Sequence, residues 1–384
     1  GFAESYGIGA NDLANAFGTS VSAKALKYWQ AVLVAAVFEF LGAVLLGANN
    51  TDTMKSGVAD PKAFESRPEI LMYGMLCVMI AAAFWDIFSC TLELQVSTTH
   101  TTAGALMGMA LASYGSDAVI WSASSSTFPG ASALFMGWGT SPILAMFFSG
   151  TLFFLVRTFV MRSKDPFTRA LWVMPLAVWL TVFVIVFTVI QTGNKNKTWD
   201  TVANGTAVWI SVVVAVGISV SSALVFIPFM KRTIAVKDAE QYLQVFSACT
   251  MSFAHGANDV ANAMGPFAAV YYIWQNSEVP GSKVPVPTWI LAFGGVGIVI
   301  GLATYGWHIM GLYGAKSVMI SNSRGFCIEL ATAMTVIFAA RWGIPISTSH
   351  TCVFAAVAVG CFEGWRGVNW FMVLQTICAM FITL

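Results

Sequence analysis

The chain has 384 residues, 57% of them hydrophobic and 10% charged, with a mean hydropathy of +0.74. Soluble domains carry roughly 25% charged residues, so this composition excludes an ordinary soluble protein and points to the membrane. The formal net charge of +1 gives no footing for nucleic acid or for an acidic soluble partner.

Taken in chain order, the clearest apolar runs cover roughly 29–48, 142–161, 171–191, 206–230, 289–312 and 369–384. Each approaches the ~20 residues that a bilayer-spanning helix needs, and they are too numerous to be a signal peptide. The chain starts at Gly1 and stops at Leu384 inside an apolar run, so one helix is expected to be clipped at each end. The seven cysteines lie in apolar segments without CxxC spacing, and neither disulfides nor a cysteine-held metal is expected.

Ahead of the first run stands GANDLANAFGT (9–19), and GANDVANAMGP recurs at 256–266, 247 residues later. A second pair, VSTTHT (96–101) and ISTSHT (346–351), keeps an offset of 250. Two motifs with nearly one offset define a repeat of about a hundred residues, far longer than the 20–50 of solenoids. Repeats of this size in a membrane protein suggest a transporter built from two related halves. The expected divisions are a first repeat over 1–113, connecting helices and a cytoplasmic loop over 114–241, and a second repeat over 242–384.

Loop charges supply an orientation. Basic clusters at Lys24/Lys27, Arg162/Lys164/Arg169 and Lys231/Arg232/Lys237 mark cytoplasmic loops. N-x-Thr sequons at Asn49, Asn196 and Asn204 would then mark external ones. This threading leaves 70–113 as a hairpin open to the outside with VSTTHT at its tip. Lys316, Arg324 and Arg366 bracket a second hairpin, 326–363, that opens inward. The fold class expected is therefore an all-α polytopic membrane protein with two inverted-topology repeats, each carrying a re-entrant helical hairpin, joined by extra transmembrane helices. One tension remains in this threading: 70–95 is long for a helix crossing half a bilayer at 1.5 Å per residue.

A carboxylate at mid-membrane costs roughly 2.5–3.5 kcal/mol and usually faces a pathway. A lone Asp would read as a helix cap, but Asp12 and Asp259 occupy the same frame in both motifs. Asp12 shares a helix face with Asn15, and Asp259 with Asn262. Gly9 and Gly256 are expected to permit local unwinding that frees carbonyls as cation ligands, and the hard oxygen donors suit a small alkali cation. Ser97-Thr98-Thr99 and Ser347-Thr348-Ser349 each precede a small-residue helical run, where free N–H groups and hydroxyls can hold an anion. N-capping or interhelical bonding is the plainer role for such a run, and its duplication favours the site.

His100 and His350 follow the runs and are candidates for the ion pathway or for packing; His255 and His308 have no repeat partner and read as structural. Glu39, Asp86, Glu93 and Glu329 lie in or beside apolar stretches, with Glu39 and Glu329 the best-embedded pathway candidates. No Lys or Arg falls inside either motif. An anion beside two carboxylates needs bound cations to offset the repulsion, which argues for cation–anion symport.

GANDLANAFGTS, VSTTHT, FAHGANDVANAMGP and IPISTSHT, with KYWQAVLVAAVFEFLGAVLLGA (27–48) and SRGFCIELATAMTVIFAARWGIPISTSHT (323–351), resemble the inorganic phosphate transporter (PiT) family. The stretches 241–275 and 323–351 look closest to its eukaryotic, sodium-coupled members. The resemblance implies sodium-dependent phosphate symport by alternating access across the plasma membrane, with no cofactor and no enzymatic activity. It implies that Asn11, Asp12, Asn258 and Asp259 bind sodium. Phosphate would lie on Asn15, Ser97, Thr98, Thr99, Asn262, Ser347, Thr348 and Ser349, with Glu39, His100, Glu329 and His350 along the ion pathway. Eukaryotic members usually carry a long loop between the halves, where this chain has only 231–241. The partners expected are phosphate, sodium and the lipid bilayer, with a homodimer left open. The alternatives are a proton-coupled phosphate or sulfate permease of the same fold, a passive anion channel, and an intramembrane hydrolase built on Ser97, His100 and Asp12.

Overall fold

A computed structural model describes the backbone of residues 1–122, 130–192, 204–233, 239–281, 284–316 and 320–384; the side chains of 14–15, 192, 204, 230–233, 239–240 and 312–316 lie outside the description. The described residues are almost wholly helical, and seven helices are long and apolar enough to cross a membrane: Tyr28–Leu46, Pro68–Thr91, Gly130–Met161, Pro166–Gln191, Gly205–Phe229, Thr288–Tyr305 and Asn322–Arg341. A helix of ~20 residues rises about 30 Å, the thickness of the hydrocarbon core.

The chain opens with α1 (Phe2–Asn11) and α2 (Leu13–Ser22), then α3 (Tyr28–Leu46) and the short α4 (Ala48–Ser56). A hairpin follows, α5 (Pro68–Thr91) and α6 (Thr98–Tyr114). Three long helices come next: α7 (Gly130–Leu155), α8 (Pro166–Thr192) and α9 (Asn204–Thr233). The second half runs from α10 (Ala239–Asn276) through α11 (Thr288–Tyr305) and α12 (Trp307–Lys316) to a second hairpin, α13 (Asn322–Arg341) and α14 (Thr348–Gly360), and ends in α15 (Trp370–Thr383). The final apolar run forms the 14-residue helix α15.

The helix α10 packs on α3, α13, α4 and α5, while α1 packs on α11 and α5. Lipid tails are as apolar as leucine, so close helix approach in a membrane rests on small residues, and the two main crossings show this. At α1/α11, Gly9 lies on the carbonyl of Ile298, and Gly301 on that of Tyr6. At α10/α3, Gly256 lies on the carbonyl of Glu39, and Gly42 on that of Phe253. A Cβ at any of the four would overlap the facing oxygen. The crossings correspond residue for residue, Gly9 with Gly256 and Tyr6 with Phe253 at an offset of 247, Gly42 with Gly301 and Glu39 with Ile298 at 259. The repeat in sequence is therefore a repeat in packing.

The glycines do not unwind their helices. Residues 256–266 sit inside the uninterrupted α10. The break at Asp12 is one residue wide, in right-handed helical conformation, and its N–H still donates to Ile8 O. Close approach, rather than freed carbonyls, is what these glycines provide.

Both hairpins turn in the same way. Leu94 N donates to Ser89 O (2.9 Å) and Ile344 N to Ala339 O (3.1 Å). Glu93 (φ 55°) and Gly343 (φ 62°) fill the left-handed position of each turn. Ser97 and Ser347 cap the returning helices, accepting from the N–H of His100 and His350. The 24 residues of α5 span about 36 Å, yet the tip of this hairpin reaches Asp12, midway along the α1–α2 rod. At its other end Arg67 and Glu69 are exposed.

Candidate functional site

Asp12 lies at the one-residue break between α1 and α2 and Asp259 near the middle of α10, and each hairpin tip reaches both of them. Asn11, Asp12, Asn258, Asp259 and Asn262 are fully buried, and the six Ser/Thr side chains of the tips are at most 1% exposed. From the first tip, Thr98 Oγ1 donates to Asp12 Oδ2 (2.7 Å) and Thr99 Oγ1 to Asp259 Oδ1 (3.3 Å). From the second, Thr348 Oγ1 donates to Asp259 Oδ2 (2.9 Å) and the Ser349 hydroxyl to Asp12 Oδ1. Thr98 and Thr348, the middle hydroxyls of the tips, thus bond the aspartate of their own motif pair, and Thr99 and Ser349, the last ones, bond the other aspartate, with Thr348 also 3.4 Å from Asp12 Oδ1.

The amides lock this arrangement to the backbone. Asn11 donates to Leu94 O (2.9 Å) and accepts from Val96 N (3.2 Å); Asn258 donates to Ile346 O (2.7 Å) and accepts from Ile346 N (3.4 Å). Asn262 Nδ2 reaches Thr98, Thr99 and Asp259 at 3.1–3.2 Å. Thr99 Oγ1 also lies 3.2 Å from Ile346 O and Ser349 Oγ 3.3 Å from Val96 O, so the single proton of each is shared between its aspartate and a carbonyl of the other tip. The N-termini of α6 and α14, at Thr98 and Thr348, converge here, each with orphan N–H groups and a dipole that favours an anion. The side chain of Asn15 lies outside the described residues.

His255 is part of this site. Its Nδ1 lies 2.7 Å from Glu39 Oε1 and its Nε2 3.1 Å from Asp259 Oδ2, all three side chains fully buried. Ligand atoms of Asp12, His255 and Asp259 fall within 4.8 Å of one another. At that range two ionised carboxylates would repel by about 3–4 kcal/mol at an effective dielectric of 20, a repulsion that a positive charge between them would offset. His255, read from the sequence as structural, lies against this cluster: one turn before Asp259 on α10, it stands between Glu39 and Asp259. The i, i+4 spacing of His255 and Asp259 was the available signal.

Asn50 is a second member that motif reading passes over; its Nδ2 donates to Asn258 Oδ1 (2.9 Å). The sequon at Asn49–Thr51 is enclosed, with Asn49 7% and Thr51 0% exposed, so it is not a surface glycosylation acceptor and does not mark an external loop. The Asn196 sequon and the Asn204 side chain lie outside the described residues.

The remaining candidates separate from the centre. Glu329 accepts from Ser20 (2.6 Å), Gln244 (3.2 Å), Ser247 and Thr19, two turns along α2 from Asp12. The His100 and His350 rings lie 4.7 Å apart, tilted by 34°, and Trp138 meets His100 edge-on. His308 packs on Tyr305 and Trp307, and Glu93 is exposed at its turn.

Residues 8–384 match the model of the phosphate transporter family. The chain belongs to the phosphate transporter family. It is 37% identical over 392 residues to a Pyrococcus abyssi protein bearing the name phosphate permease, covering 100% of this chain and 92% of that one. It is 33% identical over 420 residues to the chloroplastic inorganic phosphate transporter 2-1 of Arabidopsis thaliana, covering 100% and 68%. Among solved structures, one titled the sodium-dependent phosphate transporter superposes with a TM-score of 0.91 at 30% identity, covering 100% of this chain and 92% of that one. The chain is thus a multi-pass membrane protein of a phosphate-transporting family, and the hydrolase reading falls away, because the relatives are permeases and transporters.

Proposed function

We propose that the transporter moves inorganic phosphate together with sodium ions by alternating access, its two related halves rocking about the Asp12/Asp259 centre. One observation carries this reading. Both buried aspartates meet hydroxyls from both hairpin tips, so ligands placed there bridge the halves. Sodium is assigned to Asn11, Asp12, Asn258 and Asp259, and phosphate to Ser97, Thr98, Thr99, Asn262, Ser347, Thr348 and Ser349, with Asn15 completing the set by its motif position. Hydroxyls and helix N-termini supply donors to a phosphate, and phosphate, unlike sulfate, can donate in return to the aspartates. Cations beside the carboxylates offset the repulsion that a bare anion meets. The solved relative is named as sodium-dependent, which supports this choice of ion.

The repeats are assigned to 1–113 and 242–384 with connecting helices between, and the hairpins to opposite faces of a plasma membrane. Glu39 enters the pathway through His255, with Glu329, His100 and His350 lying beyond the centre. Uptake of labelled phosphate into proteoliposomes tests the proposal. An inward sodium gradient should drive accumulation, choline substitution should abolish it, and excess sulfate should leave it intact. Uptake unchanged in choline, or driven equally by a proton gradient alone, sinks sodium coupling.

A further inference from the structure

Two more carboxylates are sealed inside the first half. Glu4 on α1 and Asp86 on α5 are both 0% exposed, and no Lys, Arg or His among the described residues pairs with either. Adjacent hydroxyls of α6 hold them: Thr102 Oγ1 lies 3.0 Å from Glu4 Oε1, and Thr101 Oγ1 lies 3.2 Å from Asp86 Oδ1. The other oxygens, Glu4 Oε2 and Asp86 Oδ2, have no hydrogen-bond partner, and neither has the buried Ser89 hydroxyl one turn along α5. Buried polar atoms are rarely left so, and a group of them calls for an unseen ion or water. Thr101 deepens the shortage. Its single proton is wanted also by Ser97 O at 3.1 Å, so it cannot serve both acceptors.

The shape of the seam agrees. Gly7, one turn from Glu4 on the same face of α1, stands against Asp86: a Cβ there would lie 2.9 Å from Asp86 Cβ and 3.8 Å from Asp86 Oδ2. The unpartnered carboxylate oxygen is therefore turned toward α1, where Glu4 sits. Further along this seam, Asn11 Nδ2 lies 3.5 Å from Cys90 Sγ, one turn beyond Asp86. Glu4 is eight residues before Asp12, roughly 12 Å along the helix.

We propose that Glu4, Asp86, Thr101 and Thr102 form a second cation site, taking one alkali cation on the α1/α5/α6 seam beside the central cluster. The choice of sodium as its ion rests on the sodium coupling proposed above. Carboxylate and hydroxyl oxygens are hard ligands suited to an alkali cation, and equilibrium binding with calcium in place of sodium distinguishes a divalent occupant. Held there, the cation adds one sodium to the number bound per chain and stands next in line to Asp12.

The test uses the full chain in detergent. Equilibrium binding of radioactive sodium should fall by one ion per chain in Glu4→Gln and in Asp86→Asn. The sodium concentration for half-maximal phosphate uptake should rise at least about fivefold, with the phosphate KM at saturating sodium within about twofold of wild type. Thallium(I) added to wild-type crystals asks the same question without a variant. An anomalous peak between Glu4 and Asp86, displaced by excess sodium, is expected. Wild-type sodium stoichiometry in both variants, or thallium at Asp12 and Asp259 but none between Glu4 and Asp86, overturns the second site and leaves the central reading standing. Wild-type protein that binds no sodium at all overturns both.

Discussion

Asp12 and Asp259 carry the charge of the centre, and their removal without loss of volume is the sharpest test of it. Asp12→Asn and Asp259→Asn should each lower sodium-driven uptake by at least about tenfold, equivalent to ~1.4 kcal/mol, while thermal unfolding and size-exclusion profiles stay close to wild type. Full activity in both variants would remove the aspartates from the mechanism. His255→Ala acts differently, because it leaves Glu39 and Asp259 buried without the ring between them. Removing one partner of a buried charged network costs about 3–5 kcal/mol, so a marked fall in Tm is expected, with His255→Gln, which keeps a donor, falling less. An unchanged Tm in His255→Ala would deny the link. The aspartates were legible because a polar motif in an apolar chain stands out and was written twice. His255 was not, since its repeat equivalent is Ile8 and the equivalent of Glu39 is Ile298. The pair breaks the two-fold relation, and a reading that weighs duplicated residues passes over one that is single.

At the scale of elements, the same glycines were found by sequence and given the wrong task. Unwinding and close approach both demand glycine, and only the neighbouring helix distinguishes them. Gly256 meets the carbonyl of Glu39 and Gly301 that of Tyr6, whereas Gly108 on α6 has open space around its missing Cβ. Gly256→Ala and Gly301→Ala should each destabilise by about 1–3 kcal/mol through overpacking and impair uptake, with Gly108→Ala near wild type on both counts. Equal tolerance of all three, read by fluorescence-detected thermal unfolding, would refute the crossings. The turns show a related economy of position. Glu93 and Gly343 share a left-handed conformation, which costs a residue with a Cβ roughly 1–2 kcal/mol. Gly343→Ala should therefore lose about that much stability, while Glu93→Gly is tolerated. Helix existence was legible from apolar runs of spanning length; where a tip ends relative to Asp12 was not, because hairpin depth is set by packing at both ends rather than by length.

Considered whole, the molecule is two related halves closed on one another by hydrogen bonds that cross between them. Thr99 reaches Asp259 and Ile346, and Ser349 reaches Asp12 and Val96. The motif offsets mark two similar stretches, but the reach of Thr99 and Ser349 to the opposite aspartate depends on how the tips interleave, which no spacing encodes. It also dictates how ligands should behave. On the proposed reading, a cation at the centre would compete with hydroxyl protons already pointed at the carboxylates, and an anion would wait until those hydroxyls turn away from them. Each therefore prepares the site for the other, and coupling of this kind is reciprocal. A ligand at one hundred times its Kd stabilises the state it binds by about 2.7 kcal/mol. Sodium with phosphate should accordingly raise the Tm of the purified protein by more than the sum of the separate shifts, with sodium chloride exchanged for choline chloride to hold ionic strength fixed. In Asp259→Asn the excess should vanish. Strictly additive shifts in the wild-type protein would mean that sodium and phosphate bind independently, and the crossed tips would then lock the halves together without coupling the ions.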